Sequence, residues 1–261
     1  MLDVHPPHHP FHAWRDFFVH LATISIGLLI ALGLEATVEW AHHCHQVNHS
    51  REALQRELEE NRQRFAANTA NFRRETAALE NNLLVLDYLQ KHPGAKPSEL
   101  PGVFLWSSVY SRMEESAWKT ASQTGILALM PQDEVMRKAE LYGFFQRIDN
   151  SHEAEADAVA DAIGQMFQDS DPTHLPPAAV GDEIRLTRQV LSKHLRHGFL
   201  MQNLAEEYPD FRPGPTREEM EKLLHLPELN IRSDLSAALA LSRQRVDAAA
   251  PPVPTSAATS Y

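Results

Sequence analysis

The first feature of the hydrophobic and polar pattern is an uninterrupted apolar block near the N-terminus. Residues 17–34, a run of 18, contain no Asp, Glu, Lys or Arg. As a helix this block measures about 27 Å, close to the roughly 30 Å hydrocarbon core of a bilayer. The pattern therefore predicts a transmembrane helix, which with its flank we place at residues 17–40.

Two tryptophans stand where the interfaces of a bilayer would lie on this helix. Trp14 and Trp40 are 26 positions apart, which is about 39 Å along a helix. Trp rings prefer the membrane–water interface. We therefore expect these two residues to be membrane-interface anchors.

Two other interpretations of the apolar block are open, a buried core helix and a cleaved signal peptide. A core helix normally shows a polar face, whereas the polar interruptions here are only His20, Thr23 and Ser25. The apolar region of a signal peptide is usually shorter, about 7–15 residues, although Ala31-Leu32-Gly33 offers a small-x-small cleavage pattern. The pattern favours a permanent single-span anchor.

Small residues recur on one face of the predicted span. Thr23, Gly27 and Ala31 are spaced by four and therefore lie on one side of a helix. Small side chains let another helix approach closely in lipid, and Thr can hydrogen-bond across the contact. We expect a helix-packing face here, for a homodimer or for another membrane protein, although Gly and Ala are also common in membrane helices.

A long charged helix, continuous with the span, is predicted next over residues 41–92, because no Pro or Gly occurs between residues 41 and 90. Apolar residues recur at seven-residue intervals within it: Leu58, Phe65, Phe72, Leu79 and Leu86. The complementary positions of this heptad are mostly polar: Leu54, Asn61, Asn68, Glu75 and Asn82. Two interpretations fit this half of a coiled-coil pattern. The helix packs one stripe on its own domain, or it forms a parallel dimer in which Asn61 and Asn68 pair with their counterparts.

The rest of the chain predicts an all-α fold with Pro and Gly punctuation. Residues 93–102 form a linker loop and residues 103–246 a helical domain, while residues 1–16 and 247–261 have the composition of disordered tails. Within the domain we expect helices at about 103–124, from Pro131 onward, at 152–168, at 182–207 and at 233–246. Thr216 and Glu219 form a capping-box pattern for a short helix.

Composition and charge exclude some functions. The formal charge of −11 argues against nucleic acid as a partner, because phosphate binding needs clustered Lys and Arg. One cysteine, Cys44, cannot form an intramolecular disulfide. No phosphate-binding Gly loop, Cys-x-x-Cys pair or Gly-x-Ser-x-Gly elbow occurs. We therefore expect no enzyme but an interaction or scaffold protein, with an unrecognised catalytic site in residues 103–246 as the alternative.

Histidines after the span are the best candidates for chemistry. His42, His45 and His49 share one face of the predicted helix at spacings of three and four, and imidazole suits Zn, Cu or Ni. They are predicted as a metal site, or as a pH-responsive flank. In a parallel dimer both chains would contribute, giving six imidazoles at one membrane surface.

Orientation follows from the flanking positive charges. Arg15 and the N-terminal amine precede the span, and no Lys or Arg follows it until Arg51. The positive-inside rule then predicts a cytoplasmic N-terminus and a C-terminal domain on the periplasmic or extracellular side. The expected location is the inner membrane, with the lipid bilayer as one partner.

Two stretches carry a resemblance. The first is the span segment "IGLLIAL" followed by Glu35, Glu39 and Trp40, and the second is "SAWKTASQTGILALMP" before an aromatic-rich helix. Over residues 8–150 the chain resembles a broad group of uncharacterised bacterial single-span membrane proteins. The resemblance implies a helical, membrane-anchored protein and no activity.

Overall fold

The computed structural model describes residues 14–166 and 175–226, and over these residues the chain is all-α, as predicted. Five α-helices follow one another: α1 (Trp14–Lys91), α2 (Ser116–Gln123), α3 (Gln132–Met166), α4 (Pro177–Glu207) and α5 (Arg217–Leu224). Short 3-10 turns occur at Pro97–Glu99, Ile126–Leu129 and Pro209–Phe211. The predicted helix at 233–246, the tail at 247–261 and nearly all of the tail at 1–16 lie outside the described residues.

Helix α1 is one unbroken rod. Its 78 residues correspond to about 117 Å. It ends just before Pro93 and Gly94, and Gly94 has a φ of 83° that favours glycine. The predicted continuity of the apolar block with the long charged helix is confirmed.

The two parts of α1 have opposite environments. The apolar part near the N-terminus has a mean hydropathy of 2.2 over an 18-residue window, and none of that window is buried. Within the described residues it is the one helix long and apolar enough to cross a membrane. The first α1 residue to enter the protein core is Val47. The same helix therefore leaves its apolar half free of the protein and buries one side of its charged half.

The core lies where α1, α3 and α4 pack together, with α5 against α1 and α4. Both seven-residue stripes of α1 enter this core. Leu58, Phe65, Phe72, Leu79 and Leu86 are buried, and so are Leu54, Asn61, Asn68, Glu75 and Asn82. The interpretation that α1 packs on its own domain is therefore correct. A parallel dimer through this seam is wrong, because the chain's own segments already cover it.

The predicted helix over residues 103–124 is only partly present. Residues 103–115 form neither helix nor strand, and α2 begins at Ser116. This segment runs along α1, and its backbone bonds to α1 side chains instead of to itself. The physical reason for the error is therefore a competing set of hydrogen-bond partners far away in sequence.

Several local signals are confirmed. Gly125 adopts a φ of 75° after α2, and Pro131 directly precedes α3. Thr216 and Glu219 form the capping box, with the Thr216 Oγ1 accepting from the Glu219 amide and the Glu219 carboxylate accepting from the Thr216 amide. The helices expected from Pro131 and at 152–168 are one continuous helix, α3.

Candidate functional site

Asparagine side chains on α1 hydrogen-bond the backbone of the extended segment 103–115 at regular intervals, and we call each of these contacts a rung. The Asn61 amide donates to the Glu114 carbonyl at 2.8 Å, and its Oδ1 accepts from the Glu114 amide at 2.7 Å. Asn68 makes the same pair with Ser111, and Asn82 makes it with Leu105. Each carboxamide thus reproduces the donor and acceptor of a neighbouring β-strand.

The register of these rungs follows from elementary geometry. From Asn82 to Asn61 the helix advances 21 positions, or about 31 Å, while the segment advances from Leu105 to Glu114, nine positions or about 31 Å of extended chain. Seven helical residues therefore match three extended ones. A polar residue every seventh position on α1 is what an extended antiparallel neighbour requires.

One rung differs from the others, because its residue is an acid. Glu75 stands in the series between Asn68 and Asn82, and its carboxylate accepts from the Val109 amide at 3.0 Å. Glu75 is 6% exposed. Its carboxylate lies close to His194 and Glu155, which belong to a cluster of ionisable side chains in the core.

Four residues of the cluster come from two helices. His152 and Glu155 are three apart on α3, and His194 and His197 are three apart on α4, so each pair shares a face. In the described part of the chain two groups of three residues have ligand atoms within 4.8 Å of one another. The first group is His152, Glu155 and His197, the second is Glu75, Glu155 and His194, and Glu155 belongs to both.

Hydrogen bonds and rings fix the cluster in place. The Nδ1 of His194 lies 2.6 Å from the Glu155 Oε1, and its Nε2 lies 2.8 Å from the Thr76 hydroxyl. The ring of Phe72 stacks on His194 with centroids 4.1 Å apart. On the other side Tyr110 stacks on His152 at 4.2 Å, and the Tyr110 hydroxyl donates to Asp149. The site is thus walled by aromatic rings from α1 and from the extended segment.

Three buried polar atoms of the first group have no hydrogen-bond partner. They are the Nδ1 of His152, the Nδ1 of His197 and the Oε2 of Glu155. Buried polar atoms in proteins are nearly always paired, because an unpaired one costs about 1–3 kcal/mol. Their occurrence in three residues whose ligand atoms lie within 4.8 Å of one another makes this group a candidate binding site.

Burial sets the ionisation of the cluster. Burial and then the facing Glu155 carboxylate raise the pKa of Glu75 to about 8. Burial lowers the pKa of His197 to about 4 and also lowers that of His152. Burial alone would raise the pKa of Glu155, but His194 and then the other two histidines outweigh it, so that pKa is lowered. At neutral pH the first group therefore offers one carboxylate and two neutral imidazoles.

This arrangement suits an ion better than a reaction. Neutral imidazole nitrogens and a carboxylate oxygen are the donors that zinc and similar divalent ions prefer. Glu155, His194 and His197 are at most 3% exposed. An acid–base reaction would need a substrate within hydrogen-bond reach of these groups, and the burial of these three side chains restricts the approach of one.

The histidines predicted from the sequence lie elsewhere. His42, His45 and His49 are exposed on α1, and they are in neither of the two groups found among the described residues. The Nε2 of His42 lies 3.0 Å from the Gln46 amide nitrogen. That these three side chains bind metal stays a prediction.

The other predicted residues all lie on the free part of α1. Trp14 and Trp40 are exposed at its two ends, and the face of Thr23, Gly27 and Ala31 is exposed between them. The Thr23 hydroxyl donates to the Val19 carbonyl of its own helix at 2.8 Å.

The core cluster was missed by sequence reasoning. Its signals are a His-x-x-Glu at residues 152–155 and a His-x-x-His at residues 194–197, and both are short and common in helices. Comparison with known proteins adds no relative, since no family model, curated protein or solved structure matches the chain.

Proposed function

We propose that this chain is a single-pass membrane protein of the bacterial envelope in which a rigid helix holds a non-enzymatic helical domain beside the bilayer. The observation that carries the proposal is α1 itself. An apolar window with none of its surface buried continues, without Pro or Gly after residue 41, into a helix that forms one side of the domain core. An apolar surface of that size outside the core needs lipid or a partner to cover it.

The geometry supports a short distance between bilayer and domain. Val47, the first core residue of α1, lies 13 positions after Leu34, or about 20 Å along the helix. The Arg51 guanidinium then holds Glu134 of α3 at 2.7 Å. A helix without a break transmits the tilt of the span to the domain, so the domain is presented in a fixed orientation.

Membrane anchoring is tested by extraction and by the mass of the mature chain. We expect the protein to sediment with membranes and to resist carbonate, and the intact N-terminus to be retained. A soluble mature form beginning near Leu34 would identify the block as a cleaved signal sequence instead, and release by carbonate would contradict a span.

The proposed orientation places the N-terminus in the cytoplasm and the domain outside the inner membrane. Cys44 is the single cysteine of the chain, is partly exposed, and lies about 15 Å beyond Leu34 along α1. A membrane-impermeant maleimide should label it in intact spheroplasts, with Cys44→Ser as the unlabelled control. Labelling that appears only after lysis would reverse the orientation.

The partner we propose for the span is a second copy of this chain or another membrane protein. Thr23, Gly27 and Ala31 form an open face, and a Cβ on Gly27 would meet nothing within 4 Å. Replacing Gly27 and Ala31 by Ile should weaken a crosslinked dimer or partner complex, whereas Leu29→Ile on the far side should not. Equal crosslinking of both variants would remove this face from the proposal.

A further inference from the structure

We infer that His152, Glu155 and His197 form a binding site for one divalent transition-metal ion, with Zn²⁺ as the ion that fits the donors best. The site lies in the core between α3 and α4. It is distinct from the exposed histidines His42, His45 and His49, and it does not depend on the membrane anchor.

The donor set is the first argument. Two imidazoles and one carboxylate are a recurring three-ligand set for zinc, with bonds of about 2.0–2.2 Å and a fourth position left to water. The same set also serves other first-row divalent ions. Hard ions such as Ca²⁺ prefer six or more oxygen ligands, and the first group supplies one carboxylate.

The unpartnered atoms are the second and independent argument. His197 is 2% exposed and Glu155 is 3% exposed, yet the Nδ1 of one and the Oε2 of the other bond to nothing. The Nδ1 of His152 is in the same state. A cation coordinated by these three atoms would satisfy all three lone pairs, and the described residues supply no hydrogen-bond partner to any of them.

The surroundings of the ligands are the third argument. Metal-binding histidines generally donate their other ring N–H to a carbonyl or carboxylate, which fixes the tautomer and the ring. The ring of His197 hydrogen-bonds the backbone of Ile148, which leaves the unpartnered Nδ1 to bind a metal. Glu155 is held through its Oε1 by His194, and His194 in turn by Thr76. The two ligands are thus oriented by groups that do not compete for the free atoms.

The spacing of the ligands is compatible with an ion after a small closure. The ligand atoms of His152, Glu155 and His197 lie within 4.8 Å of one another. In a tetrahedral zinc site with bonds of about 2.1 Å the ligand atoms are about 3.4 Å apart. Side-chain rotations that bring the atoms together by at most about 1.4 Å are therefore enough.

The experiment uses the full chain in detergent, stripped with a chelator and titrated with Zn²⁺ and with Co²⁺. We expect one ion per chain, and the visible absorption of Co²⁺ in a low-symmetry nitrogen and oxygen site. Glu155→Gln and His152→Gln should each weaken Zn²⁺ binding by about 100-fold or more. The triple variant His42→Ala, His45→Ala, His49→Ala should keep full binding.

The outcomes separate the two histidine clusters. Loss of binding in the triple variant but not in the core variants would overturn the inference and place the metal on the exposed face of α1. Failure of the wild-type chain to bind either ion would overturn it as well. His152 is only half-buried, so His152→Gln should leave the helical circular dichroism unchanged. If Glu155→Gln does not fold, His152→Gln and X-ray absorption of the zinc-loaded wild type, which counts imidazole ligands, decide the question.

Discussion

The hydrogen bonds between α1 asparagines and the extended segment predict that Asn61 contributes far more to the unfolding free energy than an exposed asparagine of the same helix. Asn61→Ala removes two hydrogen bonds to Glu114, of 2.7 and 2.8 Å, at a residue with no exposed surface. Two neutral hydrogen bonds contribute about 1 kcal/mol each, and the stranded backbone groups of Glu114 add about 1–2 kcal/mol more. Ala gains about 0.5 kcal/mol in helix propensity, so the net loss in unfolding free energy should be about 2.5–3.5 kcal/mol.

The matched control is Asn48→Ala. Asn48 is exposed on the same helix, so the same substitution should leave the unfolding free energy unchanged or raise it by up to about 0.5 kcal/mol. Denaturant unfolding of the full chain in detergent measures both, with Trp106 and Trp118 as fluorescence reporters in and just after the extended segment.

Hydrogen exchange gives a local check on the same argument. The Glu114 amide should exchange slowly in the wild type and in Asn48→Ala, and faster in Asn61→Ala, because its acceptor is the Asn61 Oδ1. If the two alanine variants have equal unfolding free energies, or if exchange at Glu114 is unchanged, then the asparagines of α1 do not hold the extended segment 103–115 in place.

Two further predictions concern α4. Gly198→Ala should lower the unfolding free energy by about 1–3 kcal/mol, because the new Cβ would lie 2.4 Å from the Phe72 ring and 2.7 Å from the Met220 sulfur. The control Gly181→Ala should be neutral or stabilising, because its Cβ meets nothing within 4 Å. Equal unfolding midpoints of the two variants would contradict this prediction. At pH 8, Glu183→Gln should be more stable than the wild type. Burial raises the pKa of Glu183 to about 7, so the folded wild type holds a proton that the unfolded chain releases above about pH 4.5. Between pH 4.5 and 8 the unfolding free energy of the wild type should therefore fall by about 3 kcal/mol relative to that of the variant. A difference between the two that does not vary with pH would show that Glu183 is not protonated in the folded state.

The parts of the fold that could be predicted are those that local sequence controls. An unbroken α1 follows from the absence of Pro and Gly after residue 41, its end follows from Pro93 and Gly94, and the start of α5 follows from Thr216 and Glu219. In each case the residues that decide the structure lie within a few positions of the element. Those signals therefore act without any tertiary contact.

The extended segment could not be predicted in this way. The α1 side chains that bond to residues 103–115 lie 22 to 53 positions earlier in the chain, so no window of local sequence contains these partners. The seven-residue period of asparagines was visible, but it fits a coiled-coil seam and an extended neighbour equally well. Only the packing of α1 in the structure decides between them.

The candidate metal site was hidden for a related reason. His152 and His197 are 45 positions apart, and each sits in an ordinary helical pattern of charged and apolar residues. The histidines at 42, 45 and 49 attract attention because they are close in sequence. Closeness in sequence brings side chains onto one face of a helix, but it does not bury them, and burial is what leaves lone pairs without water.

Glu75 contacts both the extended segment 103–115 and the histidine cluster of the core. An asparagine at this position would accept from the Val109 amide as Glu75 does, and it would also donate to a carbonyl as Asn61 and Asn68 do. The chain instead carries an acid whose pKa burial raises to about 8, which is the weaker choice for holding a backbone. A residue that contradicts its local structural role usually serves a site. The carboxylate of Glu75 and the ligand atoms of Glu155 and His194 lie within 4.8 Å of one another, so this acid brings a further oxygen ligand to the edge of the candidate site, which an asparagine would not do as well.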